Sequence, residues 1–226
     1  MSTRRFVILS SPRSGTHMLR TSLDGHPEIV CLTEMLNPDY SDAVYPFTVD
    51  TSTEEILGEY VFRRWAPGIR AVGFCVHRLG ARTGNRPEPW DLLAADRELH
   101  VISLRRRDLL RRHLSFRLRG YQGLDPPPPL DLDPGELRAD FERQQAAVAA
   151  LDELFADHPL RTVVYEDLVA RYQDTMDELQ RFLGVRSLPL VPGTLPRPRW
   201  PLTDVVRNHR ELAVAFAGTA WADFFD

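Results

Sequence analysis

Lysine is absent from this chain: all 28 of its basic side chains are arginine. Every cationic role therefore falls to a planar group that stays protonated near neutral pH and donates through a rigid fork. The chain also lacks the Gly-Lys-Ser/Thr ending of a nucleoside-triphosphate loop, and with it the lysine such loops place on the outer phosphates. Two cysteines, Cys31 and Cys75, are too few and too far apart for a disulfide framework or a zinc site. They fit a reducing compartment, so the expectation is a cytoplasmic protein without a bound metal. No stretch approaches the about 18 uninterrupted apolar residues of a membrane span. Positive charge is not in surplus: 32 acidic against 28 basic residues give a net charge of −4 and a pI near 6.0. No global field draws the chain to nucleic acid or to a membrane surface, and any anion site must be local.

At 226 residues with 43% hydrophobic content, the chain is long enough to bury one full core, which predicts a single domain over 1–226. Short apolar runs alternate with longer helical patterns, the signature of an α/β protein with a central parallel sheet flanked by helices. The pattern predicts strands at 6–10, 71–76, 100–104 and 161–165. It predicts helices at 16–23, 53–65, 108–118, 135–155, 168–183 and 203–216. The helix over 135–155 is well signalled by Asp133 as cap, Pro134 at the first turn and Glu136 three residues after the cap. Leu137, Phe141, Val148, Leu151 and Phe155 then fall on one face as core. A Pro-rich irregular segment over 188–201 carries Arg197, Arg199 and Trp200.

Two segments carry chemistry. In the first, the apolar run 6–9 leads into Pro12-Arg13-Ser14-Gly15-Thr16 and then His17 at the start of a helix. Gly15 lets the backbone approach an anion, the amides at the helix start point at it, and Ser14, Thr16 and Arg13 add donors. The plainer alternative is a strand-to-helix turn capped by Ser14. In the second, the strand ending at Leu104 runs into Arg105, Arg106, Arg107 and Asp108, followed by a helix with Arg111 and Ser115. Cations at the carboxyl end of a parallel strand face the crevice where α/β folds bind ligands. The alternative there is a solvated arginine-rich helix; a nucleic-acid patch is disfavoured because no aromatics interleave the arginines.

With these two sites in place, the chain resembles sulfotransferases that use 3′-phosphoadenosine 5′-phosphosulfate (PAPS), in particular their bacterial and carbohydrate-acting branch. The likeness lies in Pro12-Arg13-Ser14-Gly15-Thr16, in Leu104-Arg105-Arg106-Arg107-Asp108 with Ser115, in Val163-Val164-Tyr165-Glu166-Asp167-Leu168, and in Phe182-Leu183-Gly184-Val185. It implies a P-loop-like three-layer fold and a loop for the 5′-phosphosulfate in which Arg13 stands where many members have lysine. It further implies a 3′-phosphate site on Ser115 and Arg106, with Arg107 as the alternative register, and cofactor contacts from Pro12 to His17 and from Arg197 and Arg199. For the base that takes the acceptor's proton it offers Glu34 and His77. One departure stands out: Cys75 occupies a strand position where members often carry lysine, and Arg13, Arg78 or an arginine of 197–199 are the candidate replacements. The acceptor implied is a small molecule or carbohydrate. Rival readings are a P-loop kinase, which calls for the missing loop lysine and for an aspartate at a strand end, and a non-catalytic module for anionic ligands.

Overall fold

The computed structural model describes residues 3–37, 47–48, 50–78, 89–121, 127–194 and 200–226. Five strands form one wholly parallel sheet: β1 (Arg4–Ser10), β2 (Ile29–Leu32), β3 (Ala71–His77), β4 (His100–Arg105) and β5 (Leu160–Val164), in the order β2-β3-β1-β4-β5. The helices between them are α1 (Thr16–Asp24), α2 (Thr53–Glu55), α3 (Trp90–Ala95), α4 (Leu109–Arg117) and α5 (Pro134–Leu154). After β5 follow α6 (Tyr165–Ala170), α7 (Tyr172–Phe182), α8 (Leu202–Val205) and α9 (His209–Phe216).

The central strands read as near-continuous apolar runs because both sheet faces are covered. Phe6 and Ile8 of β1 pack with Leu19, Leu23, Leu168, Met176 and Leu179 under α1, α6 and α7. Val7 and Leu9 face the other way, with Phe74, Val101, Leu151 and Phe155 and the carboxyl half of α5. A third cluster joins α4, α5, α8 and α9 through Leu110, Leu114, Phe141 and Phe216. In the middle of the sheet Phe6 lies opposite Gly73, and a Cβ on Gly73 would stand 2.5 Å from both the Phe6 ring and the Phe6 carbonyl.

Several predicted boundaries are corrected. The edge strand β2 was not expected from the sequence; it is four residues long and half of it is only partly buried. The predicted helix over 53–65 holds α-helical geometry only to Glu55 and continues as a wider π-helical turn, Ile56–Val61. The stretch 168–183 is two helices broken at Arg171, and Tyr165 opens α6 rather than closing β5. The stretch 203–216 is interrupted because Val206 bridges to Leu130 while the Asn208 side chain bonds both backbone groups of Leu132. The short α3 was also missed. Val148 is half-buried rather than core.

Candidate active site

From β1 the chain crosses toward β2 on one side of the sheet, whereas β4 leads to β5 on the other, so the connections diverge at the carboxyl ends of β1 and β4. A crevice opens at such a divergence. The turn 11–15 fills it. Arg13 (φ 70°) and Gly15 (φ 93°) are both left-handed and bracket Ser14, a curl that gathers successive amides into an anion-binding concavity. Ser14 donates its amide to the Ser11 carbonyl at 3.2 Å, and Thr16 Oγ1 donates to Ser10 Oγ at 2.8 Å. Ser10, Ser11 and Ser14 are buried, whereas Pro12 is half-buried and His17 stands exposed at the start of α1. Gly15 has a second reason to be glycine: a Cβ there would lie 2.4 Å from the Tyr165 ring.

The arginine run is fixed by carboxylates. Glu166 accepts the amides of Arg107 at 3.0 Å and Asp108 at 3.3 Å, and Asp108 caps α4 by accepting the Arg111 amide at 2.8 Å. Burial raises the Asp108 pKa, against the opposing Arg111 amide. Arg106 then donates Nη1 to the Arg13 carbonyl at 2.9 Å and lies 4.8 Å above the centre of the Tyr165 ring. Arg13 Nε donates to Ser115 Oγ at 3.0 Å. Arg13, Arg106 and Ser115 thus meet, although about a hundred residues separate Arg13 from the other two. Arg107 turns outward to Asp167 at 3.1 Å and is 62% exposed.

A cleft of about 360 Å³ is lined by Ser11 and Ser14 from the loop and by Arg105, Arg106 and Arg107 from the run. Its apolar wall is Leu109, Val148, Ala149 and Phe224. Two further lining residues, Arg78 and Arg112, are buried arginines, and that burial is a tertiary property the sequence does not show. Arg112 and His113 of α4 clamp α5 through Asp140: His113 Nδ1 lies 2.9 Å from Asp140 Oδ2, which also takes Arg112 Nη2, and Arg143 reaches Oδ1 at 2.8 Å. Burial alone would raise the Asp140 pKa; the His113 hydrogen bond and the Arg112 charge overcome it and hold the carboxyl well below its ordinary range.

Glu34, just beyond β2, and His77, the last residue of β3, form a pair with His77 Nε2 at 3.2 Å from Glu34 Oε1. Asn37 Nδ2 donates to the other Glu34 oxygen at 2.9 Å. His77 is in register with Ser10, one residue before the loop. Burial lowers the His77 pKa below its ordinary value, assisted by Arg78 and opposed by Glu34, so the imidazole is neutral at pH 7. Cys75 points into the core beneath α1 and brings no charge; burial and a hydrogen bond with Cys75 raise the Cys31 thiol well above its usual value. Arg197 and Arg199 lie outside the described residues. Among the described residues no cluster of metal-ligating side chains occurs, and no helix is long and apolar enough to cross a membrane.

The fold is that of a sulfotransferase. A sulfotransferase from Alicyclobacillus acidocaldarius superposes with a TM-score of 0.52 at 18% identity, covering 96% of this chain and 92% of that one. No family model matches the chain. Nodulation protein H of Rhizobium meliloti (strain 1021) is 30% identical over 239 residues, covering 98% of this chain and 94% of the relative. Nodulation protein H of Rhizobium tropici is 29% identical over 235 residues, covering 100% and 94%. The chain belongs to the nodulation protein H family of bacterial sulfotransferases.

Proposed function

We propose that the 226 residues form one catalytic domain that moves a sulfuryl group from PAPS to a hydroxyl of a small-molecule or carbohydrate acceptor by in-line displacement. The observation that carries this reading is the shared cleft: loop serines and the arginine run line one volume of about 360 Å³. Its contents suit the donor. There are amides and a cation for a 5′-phosphosulfate, a second cationic cluster for a 3′-phosphate, and an apolar wall for a purine. PAPS supplies the sulfuryl group and a phosphate leaving group.

In this reading the backbone amides of residues 13, 15 and 16 and the Arg13 side chain hold the 5′ end, while Arg106 and Ser115 hold the 3′-phosphate. Because arginine keeps its proton near neutral pH, Arg13 stabilises the charge that builds on the departing phosphate and donates no proton to it. Positioning and charge stabilisation carry most of such group transfers. The acceptor's proton passes to the His77–Glu34 pair, in which a neutral imidazole sits against a carboxylate oxygen.

A thermal-shift comparison of 3′-phosphoadenosine 5′-phosphate (PAP) with ATP, each with and without Mg²⁺, tests the reading. A metal-independent rise with PAP is expected, largely lost in Arg106→Ala and Ser115→Ala. A preference for Mg-ATP would overturn it in favour of kinase chemistry.

A further inference from the structure

Arg78 is a buried cation that makes no direct ion pair among the described residues. It follows β3 directly, is 6% exposed, and its amide donates to the Ser10 carbonyl at 2.7 Å. Its side chain crosses the end of β1 to reach β4, donating Nη1 to the Leu104 carbonyl and Nη2 to Ser103 Oγ, both at 2.7 Å. Nε has no partner, and among the described residues no carboxylate comes within 4.0 Å of the guanidinium. The neighbouring arginines are compensated: Arg112 by Asp140, and Arg105 by both oxygens of Asp152 at 2.7 and 2.6 Å. Burial, assisted by the adjacent Arg105 and opposed by the more distant Asp152, pushes the Arg78 pKa down to about 10, which leaves it charged at neutral pH.

Taking such a charge out of water is costly unless an opposite charge meets it. Two neutral acceptors offset part of that cost. Asp152 offsets a further part from beyond contact distance, an anion in contact would offset more, and Arg78 lines the same cleft as Ser11 and Ser14 of the loop. We propose that Arg78 is the fixed cation for the 5′-phosphate end of the donor, a binding residue whose contacting counter-ion is the ligand itself. The assignment rests on the donor reading above and adds to it which side chain, besides Arg13, supplies positive charge where Cys75 supplies none. The neutral hydrogen bonds to β4 hold the guanidinium in place before the ligand comes, so little reorganisation accompanies binding.

Calorimetric titration of wild type, Arg78→Gln and Arg78→Lys with two ligands, PAP and adenosine 3′-monophosphate, separates a charge from a staple. Losing one charge-assisted contact is expected to weaken PAP by about tenfold or more in Arg78→Gln. Adenosine 3′-monophosphate, which lacks the 5′-phosphate, should bind both forms within about twofold, and Arg78→Lys should keep most of the PAP affinity. Equal loss for both ligands, no loss at all, or an Arg78→Gln chain that does not fold would overturn the assignment while leaving the donor reading intact. A wild type that binds neither nucleotide would end both.

Discussion

The His77–Glu34 pair yields the sharpest prediction because its members sit 3.2 Å apart, each side chain only 16–17% exposed, and neither lines the cleft of about 360 Å³. A positioned base contributes about 10²–10⁴ in rate, or roughly 3–5 kcal/mol of barrier. If the two act as one unit, Glu34→Gln and His77→Gln should each lower kcat by about that factor, and the double variant should be no more than roughly tenfold worse than either. Glu34→Gln keeps an acceptor for Asn37, so its loss would not reflect a broken loop. Initial rates read from released PAP, with PAP affinity measured separately and expected to stay within about twofold, provide the assay. Because the His77 pKa lies below its ordinary value near 6.5, wild-type kcat/KM should hold through neutral pH and fall only below that value. That acid limb should vanish in His77→Gln. The folded chain also binds this proton less readily than the unfolded one, so the His77 contribution to stability is complete above about pH 6.5 and declines as pH falls through the folded value. Losses that multiply in the double variant, or PAP affinity that falls in step with rate, would refute the unit.

Asp140→Asn leaves Arg112 buried without its carboxylate and should cost about 3–5 kcal/mol, read by denaturant titration. Since the Asp140 pKa is depressed, its contribution is present above about pH 3.9 and is lost as pH falls further; acid unfolding of wild type and variant should therefore converge at low pH. Gly73→Ala drives a methyl into the Phe6 ring and carbonyl at 2.5 Å. Overpacking against backbone in the central strands should cost about 3 kcal/mol and lower the Tm by roughly 6–12 °C in a chain of this size.

The central strands and the capped helix α5 were legible in the sequence because their signals are local: apolar runs for β1, β3 and β4, and Asp133, Pro134 and Glu136 at the helix start. The edge strand β2 was not, since four residues with alternating burial carry little pattern. The breaks at Arg171 and at 206–208 were hidden for another reason. The apolar stripes run through both, and what interrupts the second is a bond from Asn208 to a segment 76 residues away. The same distinction holds at the site. Arg13, Arg106 and Ser115 lie in segments whose composition announces anion binding, whereas Glu34 and His77 stand out only through the resemblance to sulfotransferases. Arg78 is one of several candidate cations in the sequence and is singled out by its burial beside a cleft, and the role of Tyr165 is visible in the space it occupies.

Tyr165 has a consequence for how this chain can change. Its ring is wedged between the loop glycine and the Arg106 guanidinium, filling the place where a side chain at position 15 would go. A side chain at residue 15 therefore meets two obstacles, the left-handed backbone and the Tyr165 ring, and shrinking residue 165 removes only the second while depriving Arg106 of the surface it rests on. The two positions, remote in sequence, are thereby tied: whatever stands at 165 sets the room left at 15 and the support under Arg106.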